Sequence, residues 1–88
     1  MFTIEDVINL RNKGLKTASS KIIYLMIRNN TNEEGWSTIS TSEFSAATSL
    51  TVRAVFKVLG KLKACGLIEQ NPNKEHPNSI NQFRIIEL

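Results

Sequence analysis

The apolar positions of this chain change period several times, and each change marks an element. Thr3 is an N-cap candidate, followed by Glu5 and Asp6 in a first turn, Arg11 and Lys13 in a last turn, and Gly14 as a stop. Residues 3–13 are therefore predicted as a helix with a narrow stripe of Ile4, Val7, Ile8 and Leu10. Thr17 opens a second capped run, whose Ile22, Ile23, Leu25, Met26 and Ile27 are too densely apolar for a one-sided surface helix. Its unpunctuated length, residues 18–29, favours helix over strand despite the β-branched content and makes it the central core helix. Residues 36–39 form a short β-prone piece after Gly35, and Thr41 caps a short helix through Ala47. Thr48-Ser49-Leu50 reads as a tight turn. Thr51 then caps the longest helix, in which Val55, Leu59 and Leu62 follow the i, i+4, i+7 spacing of a buried face and Gly66 supplies a left-handed stop.

Two further segments, residues 67–70 and 80–86, flank a nine-residue polar stretch from Asn71 to Ser79. In the second of them Ile80, Gln82, Arg84 and Ile86 alternate with Asn81, Phe83, Ile85 and Glu87, the period of a strand, so the pair is predicted as an antiparallel hairpin. The stretches 29–35 and 71–79 are rich in turn formers and separate elements rather than domains. At 88 residues two packed domains are excluded, and 41% hydrophobic against 22% charged residues is the balance of a chain that folds. The longest apolar run, Ile22 to Ile27, is six residues where a membrane span needs about 20. Residues 1–10 carry Glu5 and Asp6 and lack the basic region, apolar run and cleavage site of a secretory signal. A lone cysteine, Cys65, cannot form an internal disulfide and suits a reducing compartment, so the cytoplasm is the expected location.

Charge adds more through its distribution than its total. The net charge is +3, yet residues 51–66 alone hold Arg53, Lys57, Lys61 and Lys63 and no acid. Catalytic chemistry is poorly represented: one histidine, one cysteine, no phosphate-binding glycine loop and no metal-ligand spacing. An enzyme, a metal, a cofactor and a small-molecule substrate are not expected. Cys65, just before the stop glycine, reads as half-buried packing, and Trp36 as an anchor for the strand beside the hairpin, in the core.

The order of core helix, short strand, short helix, three-residue turn, basic helix with a glycine stop and hairpin resembles the winged helix-turn-helix superfamily. The resemblance is carried by residues 39–68, where Phe44, Leu50, Val55, Leu59, Leu62 and Gly66-Leu67 fall at the family's apolar positions, and it covers about residues 15–86. Gly35-Trp36-Ser37-Thr38-Ile39 and Asn81-Gln82-Phe83-Arg84-Ile85 look like the flanks of plasmid and phage replication or regulatory modules. The resemblance implies an α+β fold, a three-helix core with a small antiparallel β-wing, spanning residues 15–88 and preceded by an extra N-terminal helix in residues 1–14. It further implies double-stranded DNA as partner, in transcriptional or replication control of a bacterium or mobile element.

The residues give that expectation a physical form. Arg53, Lys57 and Lys61 are spaced i, i+4, i+8 and line one side of a helix that a major groove, about 12 Å wide, can admit. Arg53, near the helix start, suits a guanine edge, and Ser49 and Thr51 suit phosphates or bases. By resemblance Lys74 is the prime wing contact, with His76 beside it on the hairpin tip. Val52, Phe56 and Gly60 form a second stripe bordering the basic one, so Phe56 either turns into the core or faces outward. Outward, Val52 and Phe56 can touch thymine methyls or dock a protein; an interaction module of the same fold is thus the alternative function. The leading helix either caps the core or pairs with its copy in a second chain as a two-fold homodimer.

Overall fold

Where each helix begins is set by a hydroxyl that satisfies an otherwise orphaned backbone N–H. In the computed structural model, which describes residues 2–72 and 81–87, helices α1 (Ile4–Asn9), α2 (Ala18–Asn29), α3 (Thr41–Thr48) and α4 (Val52–Ala64) all start this way. The Asp6 N–H donates to Thr3 Oγ1 at 3.2 Å while the Thr3 N–H donates back to the Asp6 carboxylate at 2.8 Å. The Thr3 N–H, together with the Thr3 hydroxyl that donates to the same carboxylate at 3.0 Å, holds the Asp6 carboxyl below the usual carboxylate range. Thr17 and Ser20 exchange the same pair of bonds at the head of α2, and Ser40 and Glu43 do so at α3. The α3 cap is therefore Ser40, not Thr41, because only Ser40 stands three residues before a glutamate that can return the bond. Thr51 caps α4, its Oγ1 accepting from the Ala54 N–H at 3.1 Å.

The N-terminal segment departs from the expected helix over residues 3–13. α1 stops at Asn9, Arg11 takes a left-handed φ of 51°, and Asn12 Oδ1 accepts from the Gly14 N–H at 2.8 Å to open a 3₁₀ turn, Lys13–Leu15. Arg11 and Lys13 thus occupy no last turn of α1, and Gly14 is no helix stop. It is buried, and a Cβ there would lie 3.1 Å from both Cys65 Sγ and Leu67 Cδ1, so the glycine lets this turn press against the end of α4.

The core gathers one face of every element. Ile23, Tyr24 and Ile27 of α2 meet Phe44 of α3 and Val55, Leu59 and Leu62 of α4, all at most 2% exposed. Val7 of α1 and Leu15 of the 3₁₀ turn close one side; Leu67, Ile68 and Phe83 close another. Strands β1 (Ile68–Gln70) and β2 (Phe83–Ile85) pair antiparallel, Ile68 opposite Ile85, Glu69 opposite Arg84 and Gln70 opposite Phe83. The 36–39 piece adds only single bridges, Ser37 pairing with Phe83 and with Thr31, rather than a full strand. Trp36 is not in the core: its ring lies half-buried under the Arg84 guanidinium, 4.3 Å from centroid to Cζ, and Arg84 in turn pairs with Glu69. Trp36 therefore anchors the strand from the outer face of the sheet.

The result is α+β: a three-helix core of α2, α3 and α4, a small antiparallel wing, and an extra N-terminal helix packed on α2. Among the described residues no helix is long and apolar enough to cross a membrane.

Two glycines near the end of the molecule's longest helix are expected to respond oppositely to alanine. Gly60 sits in the exposed face of α4 with nothing within 4 Å of an added Cβ, so Gly60→Ala should stabilise by about 0.5–1 kcal/mol in denaturant unfolding. Gly66 holds a φ of +74°, so Gly66→Ala should destabilise by about 1 kcal/mol. Shifts of the same sign would contradict this description of α4 and its stop.

Candidate nucleic-acid interface

The direction of α4 is set by the turn that precedes it. Thr48 Oγ1 donates to the Phe44 carbonyl at 2.7 Å and accepts from the Leu50 N–H at 3.3 Å, and Ser45 Oγ donates to the Leu50 carbonyl. Ser49, exposed between them, takes a left-handed φ of 60°, which reverses the chain in the space of one residue. Thr51 then starts α4, and no acidic residue occupies its first turn, leaving the N-terminal N–H groups that Thr51 Oγ1 does not cap open to an anion.

At about 100° per residue, burial of Val55, Leu59 and Leu62 puts Arg53 and Lys57 about 150° and 170° from the centre of that face, on the crest of the helix. Arg53, Lys57 and Lys61 are all exposed, so none is spent on the protein's own body. The flanks of this crest differ. On one side Lys57 and Lys61, with Val58, face Lys16, Thr17 and Ser20 across an open cavity of about 170 Å³. Lys16 is thereby brought beside the helical cations, a neighbour that sequence spacing did not reveal. On the other side, toward the wing, lie Val52 and Phe56, 42% and 50% exposed. Lys63 shares this side and donates to Gln70 Oε1 of β1 at 3.0 Å, tying helix to wing.

Seven of the nine residues expected at the interface, Ser49, Thr51, Val52, Arg53, Phe56, Lys57 and Lys61, thus form one continuous exposed surface running from the turn along α4. The other two, Lys74 and His76, lie outside the described residues. Phe56 faces outward, which resolves the two orientations its position allowed. Cys65 is half-buried against the core, as its place before Gly66 suggested. Among the described residues no group of three or more histidine, cysteine or carboxylate side chains is placed to hold a metal ion.

No protein-family model and no curated protein matches the chain. Solved structures do match. One, described as the N-terminal domain of a DNA binding protein, superposes with a TM-score of 0.64 at 18% identity, over 99% of this chain and 74% of that one. Another, described as the structure of a Rep-DNA complex, gives a TM-score of 0.61 at 20% identity, over 99% and 75%. Likeness at these identities establishes a shared fold.

The outward position of Phe56 has a stability consequence. Phe56→Ala should change the unfolding free energy by about 0.5 kcal/mol or less, whereas Leu59→Ala on the buried face of the same helix should cost about 2–5 kcal/mol. Comparable losses for the two variants, measured by thermal or denaturant unfolding, would place Phe56 in the core and contradict the assigned phase of α4.

Proposed function

We propose that this chain is a winged helix-turn-helix domain that binds double-stranded DNA sequence-specifically, laying α4 in the major groove and its wing on the adjacent backbone. The observation that carries the reading is the acid-free outer face of α4, where Arg53, Lys57 and Lys61 stand clear of the core. The two solved structures that share the fold are described as a DNA-binding domain and a Rep-DNA complex, which supports the same partner and favours a role in replication over transcription.

In this reading Lys57, Lys61 and Lys16 neutralise phosphates, and Ser49, Thr51 and the open N–H groups of α4 receive a phosphate at the helix start. Arg53 reaches a guanine edge, Val52 and Phe56 line the groove, and Lys74 and His76 touch the backbone. The domain works by binding, with no catalytic step assigned to any residue and no cofactor. Replication or regulatory control in a mobile element or bacterial cytoplasm is the proposed setting. Pairing of two chains would use Ile4 and Ile8, which α1 leaves exposed while it buries Val7. A second reading, a protein-docking module, draws on the exposure of Val52 and Phe56.

Titration with random-sequence duplex DNA at 50 and 200 mM salt separates the two. Groove binding predicts an affinity that falls steeply with salt, by about tenfold or more for a few neutralised phosphates. Arg53→Ala and Lys57→Ala should each weaken it severalfold without lowering the melting temperature. Undetectable binding at both salts, or variants that bind like the parent, would exclude the DNA reading and leave the docking module.

A further inference from the structure

We propose that Val52 and Phe56 are specificity residues that recognise thymine methyl groups, so that the target of this domain is a duplex with closely spaced thymines under the first half of α4. The inference rests on the DNA-binding reading above and names what that same surface selects.

Val52 and Phe56 are among the few large apolar side chains left exposed among the described residues, and they stand one turn apart on one stripe of α4. Their surroundings select the occupant. Arg53 and Lys57 follow them directly in sequence, Lys63 lies on the same flank, and α4 carries no carboxylate. An apolar protein groove closing over this stripe would have to desolvate those cations, which costs several kcal/mol per unpaired charge. A duplex gives such cations phosphates or acceptors on base edges and still offers apolar contact. On its major-groove edge that contact is the thymine C5 methyl, the one apolar group in the pattern of donors and acceptors.

Dimensions agree with this. Residues four apart on a helix are separated by about 6 Å along the axis, and stacked bases on one strand by about 3.4 Å. Val52 and Phe56 therefore span no more than two base steps. The stripe continues to Gly60, where the absence of a side chain, with nothing within 4 Å, leaves the helix free to lie close to the groove floor. Phe56, the longer of the two, then reaches the deeper methyl.

The test begins with selection of bound sequences from a random duplex pool by the full chain. Recovered sites should share two thymines no more than two base pairs apart. Replacing those thymines by deoxyuridine removes the methyls and leaves base pairing and phosphates unchanged; affinity should fall about fourfold per methyl. Phe56→Ala should keep only the roughly fourfold difference carried by Val52, and the double variant Val52→Ala with Phe56→Ala should bind the thymine and deoxyuridine duplexes alike, whereas Lys57→Ala should weaken both while preserving the difference between them. Equal binding of thymine and deoxyuridine duplexes by the parent chain would overturn the thymine assignment while DNA binding stands, and would free the stripe for a protein partner. A double variant lacking both side chains that still discriminates would also overturn it. A folded protein that recovers no duplex would defeat the DNA reading and this inference together.

Discussion

Burial of Val55, Leu59 and Leu62 is the constraint on which the rest of this small protein depends. A helix has a single phase: once these three side chains are sealed against α2 and α3, every other position on α4 has its direction fixed to within the tolerance of 100° steps. Arg53 and Lys57 are then driven to the crest, Lys61 to one shoulder, and Val52 and Phe56 to the other. The exposed surface is thus the complement of the buried one. In a domain of 88 residues the buried apolar face is a large share of the stability available, so the direction of α4 cannot be altered without losing the fold.

Both ends of that helix are held by contacts outside it. At its start, hydrogen bonds of Ser45 and Thr48 and the left-handed Ser49 fix the corner with α3. At its end, Gly66 turns the chain into β1, and the 3₁₀ turn presses Gly14 against Cys65 and Leu67. The wing is tied in by Lys63 to Gln70 and by Ser37 pairing with Phe83. A cationic face that would be a mobile solvated surface on an isolated helix is in this way carried on a rigid body, which lowers the ordering cost of meeting a ligand.

Much of this was legible from local chemistry. The caps Thr3, Thr17 and Thr51, the limits of α2, the stop at Gly66 and the alternation around Phe83 all follow from rules that act within a few residues. The α3 cap was also encoded locally, since Ser40 and Glu43 carry the reciprocal pattern that Thr41 lacks. What escaped the sequence depends on distant partners. Gly14 has the signature of a helix stop, and only the approach of Cys65 and Leu67 shows that it is needed for close packing. Lys16 is separated from Lys57 by about forty residues and joins it only because α2 and α4 pack together. Trp36 was expected in the core as an anchor for the strand beside the hairpin; Arg84, reached through strand pairing, offers its ring a face on the outside instead. Phe56 was ambiguous because Val52, Phe56 and Gly60 imitate a buried stripe, and the competition with Val55, Leu59 and Leu62 is decided only by the shape of the core.

The central claim is that a nucleic acid is met by the free face of α4, flanked by Lys16 and the wing. Mapping backbone amide shifts of isotope-labelled protein on addition of a short duplex tests it most directly. The account predicts changes concentrated from Ser49 through Lys61, extending to Lys16, with the amides of α1 undisturbed. Changes centred on α1 or on the outer face of the sheet, with residues 49–61 unmoved, would contradict it.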